Sequence, residues 1–335
     1  MSGVRATGVG SVPGTVQTAY DEAVRRVLDD LVEPEGLPYL PEVPGRGVTA
    51  GMLGRALATV EGIGVDLQPA GWRLTDASGV DHRRARSLLA QDLDGLEERA
   101  EGLTGAFKVQ LAGPWTLTAA VERPRGDKVL ADHGARRDLA QALAEGVGTH
   151  VADVRRRLPG VDRLVVQVDE PGLAAVVGGG VPTASGFGRH RVVHPPEASE
   201  HLAWVLGAIE SAGAVPWVHA CAPGTPWALV AGAGARGLVV DVDQLGAADH
   251  DVLAGVLDGG GELALGVVPG TEPSAAPTEQ VVVDRVVRWL DRVGLDPDDV
   301  GDRLLVSPAC GLAGATPAWA HRAIDLVRRG ARHLR

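Results

Sequence analysis

The sequence predicts an α/β fold, and within that class a (β/α)₈ (TIM) barrel. Eight short apolar runs each end in Gly, Pro or a polar residue, and helical patterns separate most of them. Several runs are almost continuous Val and Leu, which is typical of parallel strands buried on both faces. Eight such strand–helix units favour a closed barrel, and an open doubly wound sheet is the alternative. We expect residues 1–335 to form one domain with loop insertions.

The predicted elements follow one another along the whole chain. The predicted strands are residues 6–10, 37–41, 107–111, 164–168, 216–218, 238–242, 262–268 and 304–307. The predicted helices are residues 16–31, 83–99, 138–157, 197–212, 250–257, 278–293 and 316–329, where apolar residues recur at helical spacing. Residues 63–81 are less regular and indicate an insertion. Residues 178–196, rich in Gly and Pro, indicate a long loop.

Composition excludes several classes of protein. The hydrophobic content of 45% is enough for a large core, and the formal net charge is −11. This charge argues against binding to nucleic acid or to an anionic membrane, because both need a basic surface. No apolar run is long enough to cross a bilayer, and no basic and apolar leader opens the sequence. We therefore expect a cytoplasmic protein whose thiols are free rather than disulfide-bonded.

The glycine-rich stretches do not indicate a nucleotide site. Gly8-Val9-Gly10-Ser11-Val12-Pro13 places proline where a dinucleotide-binding turn would open its helix. No phosphate-binding loop with the Gly-x-x-x-x-Gly-Lys-Ser/Thr pattern is present.

The only two cysteines each follow a predicted strand. Cys221 lies two residues after His219, and Cys310 follows the last strand. Thiolate and imidazole are the ligands that Zn²⁺ prefers, and a carboxylate completes a tetrahedral site. Asp241 lies at the end of the sixth predicted strand and Asp243 follows that strand, and they are the carboxylates available for that position. Because every candidate lies at a strand end, a barrel would gather them at one mouth.

Other polar residues at strand ends predict an amino-acid ligand. Ser11, Glu42 and the pair Asp169-Glu170 follow three of the strands. Carboxylates would hold an ammonium group, while Ser11 and backbone N–H groups would hold a carboxylate. Asp169-Glu170-Pro171 is also typical of a helix start, so one acid is expected to cap a helix while the other points into the mouth.

Four motifs, taken in order, resemble those of the cobalamin-independent methionine synthase family, in its catalytic C-terminal half and its short archaeal-type homologues. Gly-Ser-Val-Pro-Gly-Thr at 10–15 resembles the family's Gly-Ser-Phe-Pro-x-Thr. Gln-Val-Asp-Glu-Pro-Gly-Leu at 167–173 resembles Gln-Ile-Asp-Glu-Pro-Ala-Leu. His219-Ala-Cys221 resembles the family's His-x-Cys zinc pair, and Pro-Ala-Cys-Gly-Leu at 308–312 resembles Pro-Asp-Cys-Gly-Leu.

The resemblance implies a (β/α)₈ barrel that uses Zn²⁺ to move a methyl group onto the thiol of homocysteine, forming methionine. It implies zinc ligands His219, Cys221 and Cys310. The family's remaining glutamate ligand falls on Asp243, with Asp241 or water as alternatives. It also implies that Val9, Gly10 and Ser11 bind the homocysteine carboxylate and that Glu42 and Asp169 bind its ammonium group.

Two departures from the family concern the methyl donor. The family carries a histidine, implicated in proton transfer, after strand seven, whereas residues 266–272 contain none. Asp243 and Glu272 are the substitutes we predict for this acid. The full-length family enzymes also have a second barrel that helps to form the methylfolate site, and this chain has room for one. The expected donor is 5-methyltetrahydrofolate or methylcobalamin, the latter with a corrinoid carrier as partner. The rival functions are methyl transfer to another thiol and amino-acid binding without catalysis.

Overall fold

The fold is a closed parallel barrel surrounded by helices, as seen in a computed structural model that describes residues 3–334. The barrel strands are β1 (Arg5–Thr7), β2 (Gly36–Leu37), β5 (Gly105–Ala112), β6 (Val161–Asp169), β7 (Val215–Ala220), β8 (Gly237–Asp241), β9 (Glu262–Val268) and β10 (Leu304–Pro308). They form one parallel sheet in the order β2-β1-β10-β9-β8-β7-β6-β5. A further parallel bridge between Tyr39 and Lys108 joins the chain after β2 to β5 and closes the barrel.

The predicted (β/α)₈ barrel is therefore confirmed, and each predicted strand overlaps an observed one. The helices are α1 (Gln17–Leu31), α2 (Met52–Thr59), α3 (Val80–Arg99), α4 (Pro114–Ala120), α5 (His133–Arg157), α6 (Leu173–Val177), α7 (Pro195–Ser211), α8 (Trp227–Gly232), α9 (Ala247–Asp258), α10 (Glu279–Val293), α11 (Pro297–Val300) and α12 (Pro317–His333). Among them, α5 begins five residues before its predicted start, because the Asp132 side chain caps it by accepting from the Ala135 N–H.

The irregular segment 63–81 contains an antiparallel hairpin that the sequence did not predict. It consists of β3 (Gly64–Gln68) and β4 (Gly71–Thr75), and Gly71 at the turn has a φ of 130°. The short helices α2, α4, α6, α8 and α11 were also not predicted, because each is too brief to show a helical period. Residues 178–194 contain no helix or strand, as the predicted loop requires.

The barrel interior is filled by a layer of side chains, one from each strand or its continuation. The layer consists of Val9, Leu37, Ala106, Val165, Trp217, Val239, Ala264 and Leu305. Because side chains alternate along a strand, the residues two and four positions further point inward nearer the C-terminal mouth. Those positions hold Lys108 and Gln110 on β5, and Gln167 and Asp169 on β6. The barrel therefore changes from apolar to polar toward the mouth.

No helix of residues 3–334 combines the length and the apolar content needed to cross a bilayer.

Candidate functional site

A cavity of about 280 Å³ opens at the C-terminal mouth of the barrel. It is lined by Val9, Gly10, Ser11, Glu42, Pro44, Met52, Gln110, Asp169, Pro171, His219, Cys221, Cys310 and Gly311. Seven predicted site residues are thus brought together, although they are spread over 300 residues of chain: Gly10, Ser11, Glu42, Asp169, His219, Cys221 and Cys310. A second cavity of about 230 Å³, between α1 and α12, is lined by none of them.

His219, Cys221 and Cys310 form a cluster whose potential ligand atoms lie within 4.8 Å of one another. His219 and Cys221 come from the end of β7, and Cys310 comes from the end of β10. The Cα atoms of the two cysteines are 6.0 Å apart, and their sulfurs are bonded to each other. The expectation that both thiols are free is therefore wrong for this structure. Barrel closure brings two residues 89 positions apart within the normal range for a disulfide.

The two ring nitrogens of His219 have different surroundings. Nδ1 lies 3.0 Å from Oδ1 of Asp169, while Nε2 is buried and has no hydrogen-bond partner among residues 3–334. Metal-binding histidines commonly have their second nitrogen held by a carboxylate in this way. An unpartnered imidazole nitrogen beside two sulfurs is a donor set that suits Zn²⁺. The residues present therefore fit zinc, provided that the disulfide is reduced, because only thiolates bind the metal.

The structure does not bring Asp241, Asp243 or Glu272 to this cluster. Asp243 is largely exposed and pairs with Arg285 of α10 at 2.5 Å. Asp241 accepts from the N–H of Asp243 at 3.0 Å, and burial raises the pKa of the Asp241 carboxyl. Glu272 is exposed and accepts from the Thr316 hydroxyl at 3.0 Å. The shorter aspartate at 243 thus turns to the outer helix layer, and the predicted fourth ligand and acids lie away from the cavity.

Glu42 and Asp169 are the two carboxylates of the cavity wall. Glu42 is buried; its Oε1 accepts from Gln110 Nε2 at 3.0 Å and lies 3.3 Å from Nε of Arg55. Burial raises the pKa of Glu42, Arg55 opposes this rise and Asp169 adds to it. Asp169 accepts from Gln167 Nε2 at 2.7 Å in addition to its contact with His219. The cavity wall therefore carries two buried carboxyl groups that influence each other, and Arg55 pairs with one of them.

Two glycines make room for the polar groups at this wall. Gly10 has a φ of 153°, and a Cβ there would lie 2.8 Å from the Gln110 side chain. A Cβ on Gly311 would lie 2.2 Å from Ser11 Oγ. Backbone bonds between the Gly10–Val12 segment and Glu42 hold Ser11 beside Glu42 at the mouth. Glycine is therefore required at both positions for Ser11 and Gln110 to occupy their places.

Sequence reasoning missed Lys108, Gln110, Gln167 and Arg55. The first three carried a readable signal, because they are polar residues on the inward alternation of otherwise apolar strands. Phe107-Lys108-Val109-Gln110-Leu111 shows this pattern clearly. Arg55 lies on α2, which was not predicted, so its contact with Glu42 could not be anticipated.

Glu170 has a structural role, which settles which acid of the Asp169-Glu170 pair faces the cavity. Its carboxylate accepts from the N–H groups of Trp115 and Thr116 and from the Thr116 hydroxyl, at 2.7–2.9 Å. It therefore caps the N-terminus of α4 rather than a helix that follows it in the chain. Burial raises the pKa of Glu170 to about 7, although these hydrogen bonds act to lower it.

This burial predicts a pH-dependent stability. The folded chain keeps the Glu170 proton up to a higher pH than the unfolded chain, so stability falls as pH rises from 4.5 to about 7. Relative to Glu170→Gln, the wild type is expected to lose on the order of 3 kcal/mol of unfolding free energy across that window. Urea unfolding of both proteins over this pH range measures the difference, with exposed Glu200→Gln as control. A difference that stays constant with pH would contradict the prediction.

The fold and the site together define a barrel protein with a His/Cys₂ cluster and two carboxylates at its mouth. The family described as "Cobalamin-independent synthase, Catalytic domain" matches residues 102–333, and the chain belongs to this family. The matched range includes Asp169, His219, Cys221 and Cys310, and Ser11 and Glu42 lie before it.

One solved structure extends the similarity of fold to the rest of the chain. A B12-independent methionine synthase from Shewanella sp. W3-18-1, in complex with selenomethionine, is 13% identical, with a TM-score of 0.65 over 99% of this chain and 98% of that one. An endo-β-1,4-mannanase from Cellulomonas fimi is 13% identical, with a TM-score of 0.43 over 72% of this chain and 58% of that one. A 3-keto-D-glucoside 4-epimerase from E. coli is 12% identical, with a TM-score of 0.39 over 72% and 86%. No curated protein sequence matches the chain.

Proposed function

We propose that this chain is a zinc-dependent methyltransferase that moves a methyl group to the thiol of homocysteine and so forms methionine. The observation that carries the proposal is the composition of one cavity. The cavity is lined by a His/Cys₂ cluster and by two buried carboxylates, one of which, Asp169, also contacts His219. The cluster can hold a thiol and the carboxylates an ammonium group, which are the two ends of homocysteine. Family membership supports the same reaction.

His219 Nε2 and the sulfurs of Cys221 and Cys310 would hold the zinc ion after reduction of the disulfide. Bound zinc deprotonates a coordinating thiol, so a substrate thiol would be a thiolate at neutral pH. With Asp243 turned toward Arg285, water or the substrate is the remaining candidate for the fourth position. Asp169 would fix the imidazole ring by accepting from Nδ1.

The remaining cavity residues would orient the amino acid. Glu42 and Asp169 would accept from its ammonium group, while Ser11 and the backbone N–H groups near Gly10 would bind its carboxylate. Held at both ends, the substrate would have its sulfur fixed in line with the donor methyl group, which reduces the entropic cost of the bimolecular step. We propose residues 1–335 as one catalytic domain acting in the cytoplasm on small molecules.

In the transfer, the bond between the methyl carbon and the donor breaks; this bond is to nitrogen in methylfolate and to cobalt in methylcobalamin. The homocysteine sulfur forms the new bond to carbon, and the leaving group takes the electron pair of the old bond. Methylfolate needs a proton at N5 for this step, whereas methylcobalamin does not. The carboxyl groups that line the described cavity are Glu42 and Asp169, and the proposal assigns both to the ammonium group of the amino acid. This arrangement favours methylcobalamin, on a corrinoid carrier, over methylfolate.

We expect reduced, zinc-loaded protein to use methylcobalamin at least as fast as 5-methyltetrahydrofolate. Methionine formation from homocysteine is measured with the two donors in parallel, and protein stripped of zinc is the control. Clearly faster reaction with methylfolate would contradict the donor preference. Glu272, on the loop after β9, would then be the first acid to replace with glutamine.

A second candidate is an amino-acid-binding protein without catalysis. The Cys221–Cys310 disulfide favours it, because a disulfide cannot bind zinc, and so does the absence of Asp243 and Glu272 from the cavity. This protein would bind methionine tightly but show no turnover with either donor after reduction. Turnover with another thiol but not with homocysteine would instead indicate a methyltransferase of different specificity.

A further inference from the structure

The proposed reaction leaves a buried cation next to the cavity, Arg55, without a role. Arg55 lies on α2 and is 3% exposed. Its Nε lies 3.3 Å from Oε1 of Glu42, and its Nη1 donates to Oδ2 of Asp92 on α3 at 2.5 Å. Glu42 lines the cavity at the barrel mouth, whereas Arg55 does not. The guanidinium therefore lies behind the carboxylate, on the side away from a bound ligand.

Arg55 belongs to a chain of four charged side chains that alternate in sign and are each at most 6% exposed. The chain runs from Glu42 through Arg55 and Asp92 to Arg46, which ends a short 3₁₀ turn. Arg46 donates to both oxygens of Asp92, at 2.8 and 2.7 Å. Bidentate pairs of this kind are among the stronger charge-assisted contacts in proteins. Asp92 would therefore keep a cation as partner if Arg55 were removed.

Glu42 depends on Arg55 in a way that Asp92 does not. Among residues 3–334, Arg55 is the one cation within ion-pair distance of Glu42. The contact from Gln110 Nε2 to Glu42, at 3.0 Å, comes from a neutral amide. Burial and the nearby Asp169 raise the pKa of Glu42, whereas Arg55 acts to lower it. Without the guanidinium, Glu42 would lose the contact that offsets its burial, and with it the charge that attracts an ammonium group.

We propose that Arg55 is a positioning residue of the ammonium site, which acts through Glu42 by holding its carboxylate ionised and in place. This inference rests on Glu42 as a ligand of an amino-acid ammonium group, which belongs to the proposed function. The charge of Glu42 can be measured without any ligand, so the two proposals can fail separately.

The first measurement compares Arg55→Met with Arg46→Met. Both variants lose an arginine that pairs with Asp92, but only Arg55 pairs with Glu42. Calorimetry of zinc-loaded protein with methionine at pH 7 should give roughly tenfold weaker binding for Arg55→Met, and a change within about twofold for Arg46→Met. Binding of 4-(methylthio)butanoate, which lacks the amino group of methionine, should be the same in all three proteins. The loss in Arg55→Met should shrink as the pH rises from 6 to 8, because Glu42 ionises.

A double-mutant cycle tests whether the effect passes through Glu42. In a Glu42→Gln background, Arg55→Met should leave the methionine affinity unchanged within about twofold, because no carboxylate remains to be held. An equal loss in both backgrounds would show that Arg55 acts on the fold or directly on the ligand, and would overturn the proposal.

The second measurement needs no ligand. ¹³C NMR of glutamate-labelled protein with its disulfide intact follows the ionisation of Glu42, and Glu42→Gln is used to assign the signal. Three other titratable groups around this wall are retained in both arginine variants: Asp169, His219 and Lys108. We expect Glu42 to titrate at a clearly higher pH in Arg55→Met than in wild type or Arg46→Met.

Unchanged titration of Glu42 in folded Arg55→Met would overturn the proposal. If Arg55→Met does not fold, Arg55→Gln must show the same shifted titration, because it removes the charge and keeps a donor for Asp92. Unfolding of both variants, with Arg46→Met intact, would show that Arg55 holds the fold rather than Glu42 and would also overturn it. A wild-type protein that binds no methionine, but whose Glu42 titration shifts as expected in Arg55→Met, would refute the proposed function alone.

Discussion

Replacement of Cys310 by serine is expected to reduce bound zinc from about one equivalent per chain to less than about a tenth. A serine hydroxyl does not ionise at neutral pH, so the cluster would keep one thiolate and one imidazole, too few for a structural or catalytic zinc site. Methyl transfer to homocysteine should fall with the metal content. Metal analysis of protein purified under reducing conditions without added zinc measures the first effect, and methionine formation measures the second.

The controls for this substitution come from the same cavity. Ser11→Ala removes a hydroxyl from the cavity wall without touching the cluster, so it should retain the full equivalent of zinc. Wild-type protein oxidised to the Cys221–Cys310 disulfide should contain no zinc and should recover it after reduction. Near wild-type zinc in Cys310→Ser would show that the metal is bound elsewhere in the protein.

Glu42→Gln is expected to weaken methionine binding roughly 30-fold to several thousandfold, which corresponds to about 2–5 kcal/mol. Glutamine has nearly the same shape but lacks the charge that would pair with the ligand's ammonium group. The effect should be large because Glu42 is buried, so that water screens the interaction weakly. Calorimetric titration of the zinc-loaded protein with methionine gives the affinity.

A ligand without the amino group separates direct contact from general damage. Wild type and Glu42→Gln should bind 4-(methylthio)butanoate, the deaminated analogue of methionine, with similar affinity. Zinc content should also be unchanged in Glu42→Gln, whereas Asp169→Asn should lower both zinc and methionine affinity because Asp169 contacts His219. Equal loss of affinity for methionine and its deaminated analogue would remove Glu42 from the ammonium site.

The site residues that could be predicted from the sequence are those at the ends of the predicted strands. Short apolar runs, several of them almost continuous Val and Leu, located each barrel strand. The residue types at the strand ends indicated that Cys221, Cys310, His219, Glu42 and Asp169 are neighbours at one mouth. The same reasoning, together with the position of the family's glutamate ligand, predicted Asp243 at the mouth as a zinc ligand. In the structure Asp243 instead pairs with Arg285. It follows the strand end within a short 3₁₀ turn, where the local backbone sets the direction of the side chain. Strand alternation no longer applies there.

By itself, the sequence determined the barrel, its strand positions and the chemical types gathered at the mouth, because burial on both faces and the two-residue alternation are local properties of the chain. Only the tertiary structure decided which partners those groups meet. Glu170 caps a helix 55 residues earlier, Asp169 orients His219 across 50 residues, and the two sulfurs join across 89. Each of these contacts depends on closure of the barrel, which sets distances between strands that no local pattern encodes.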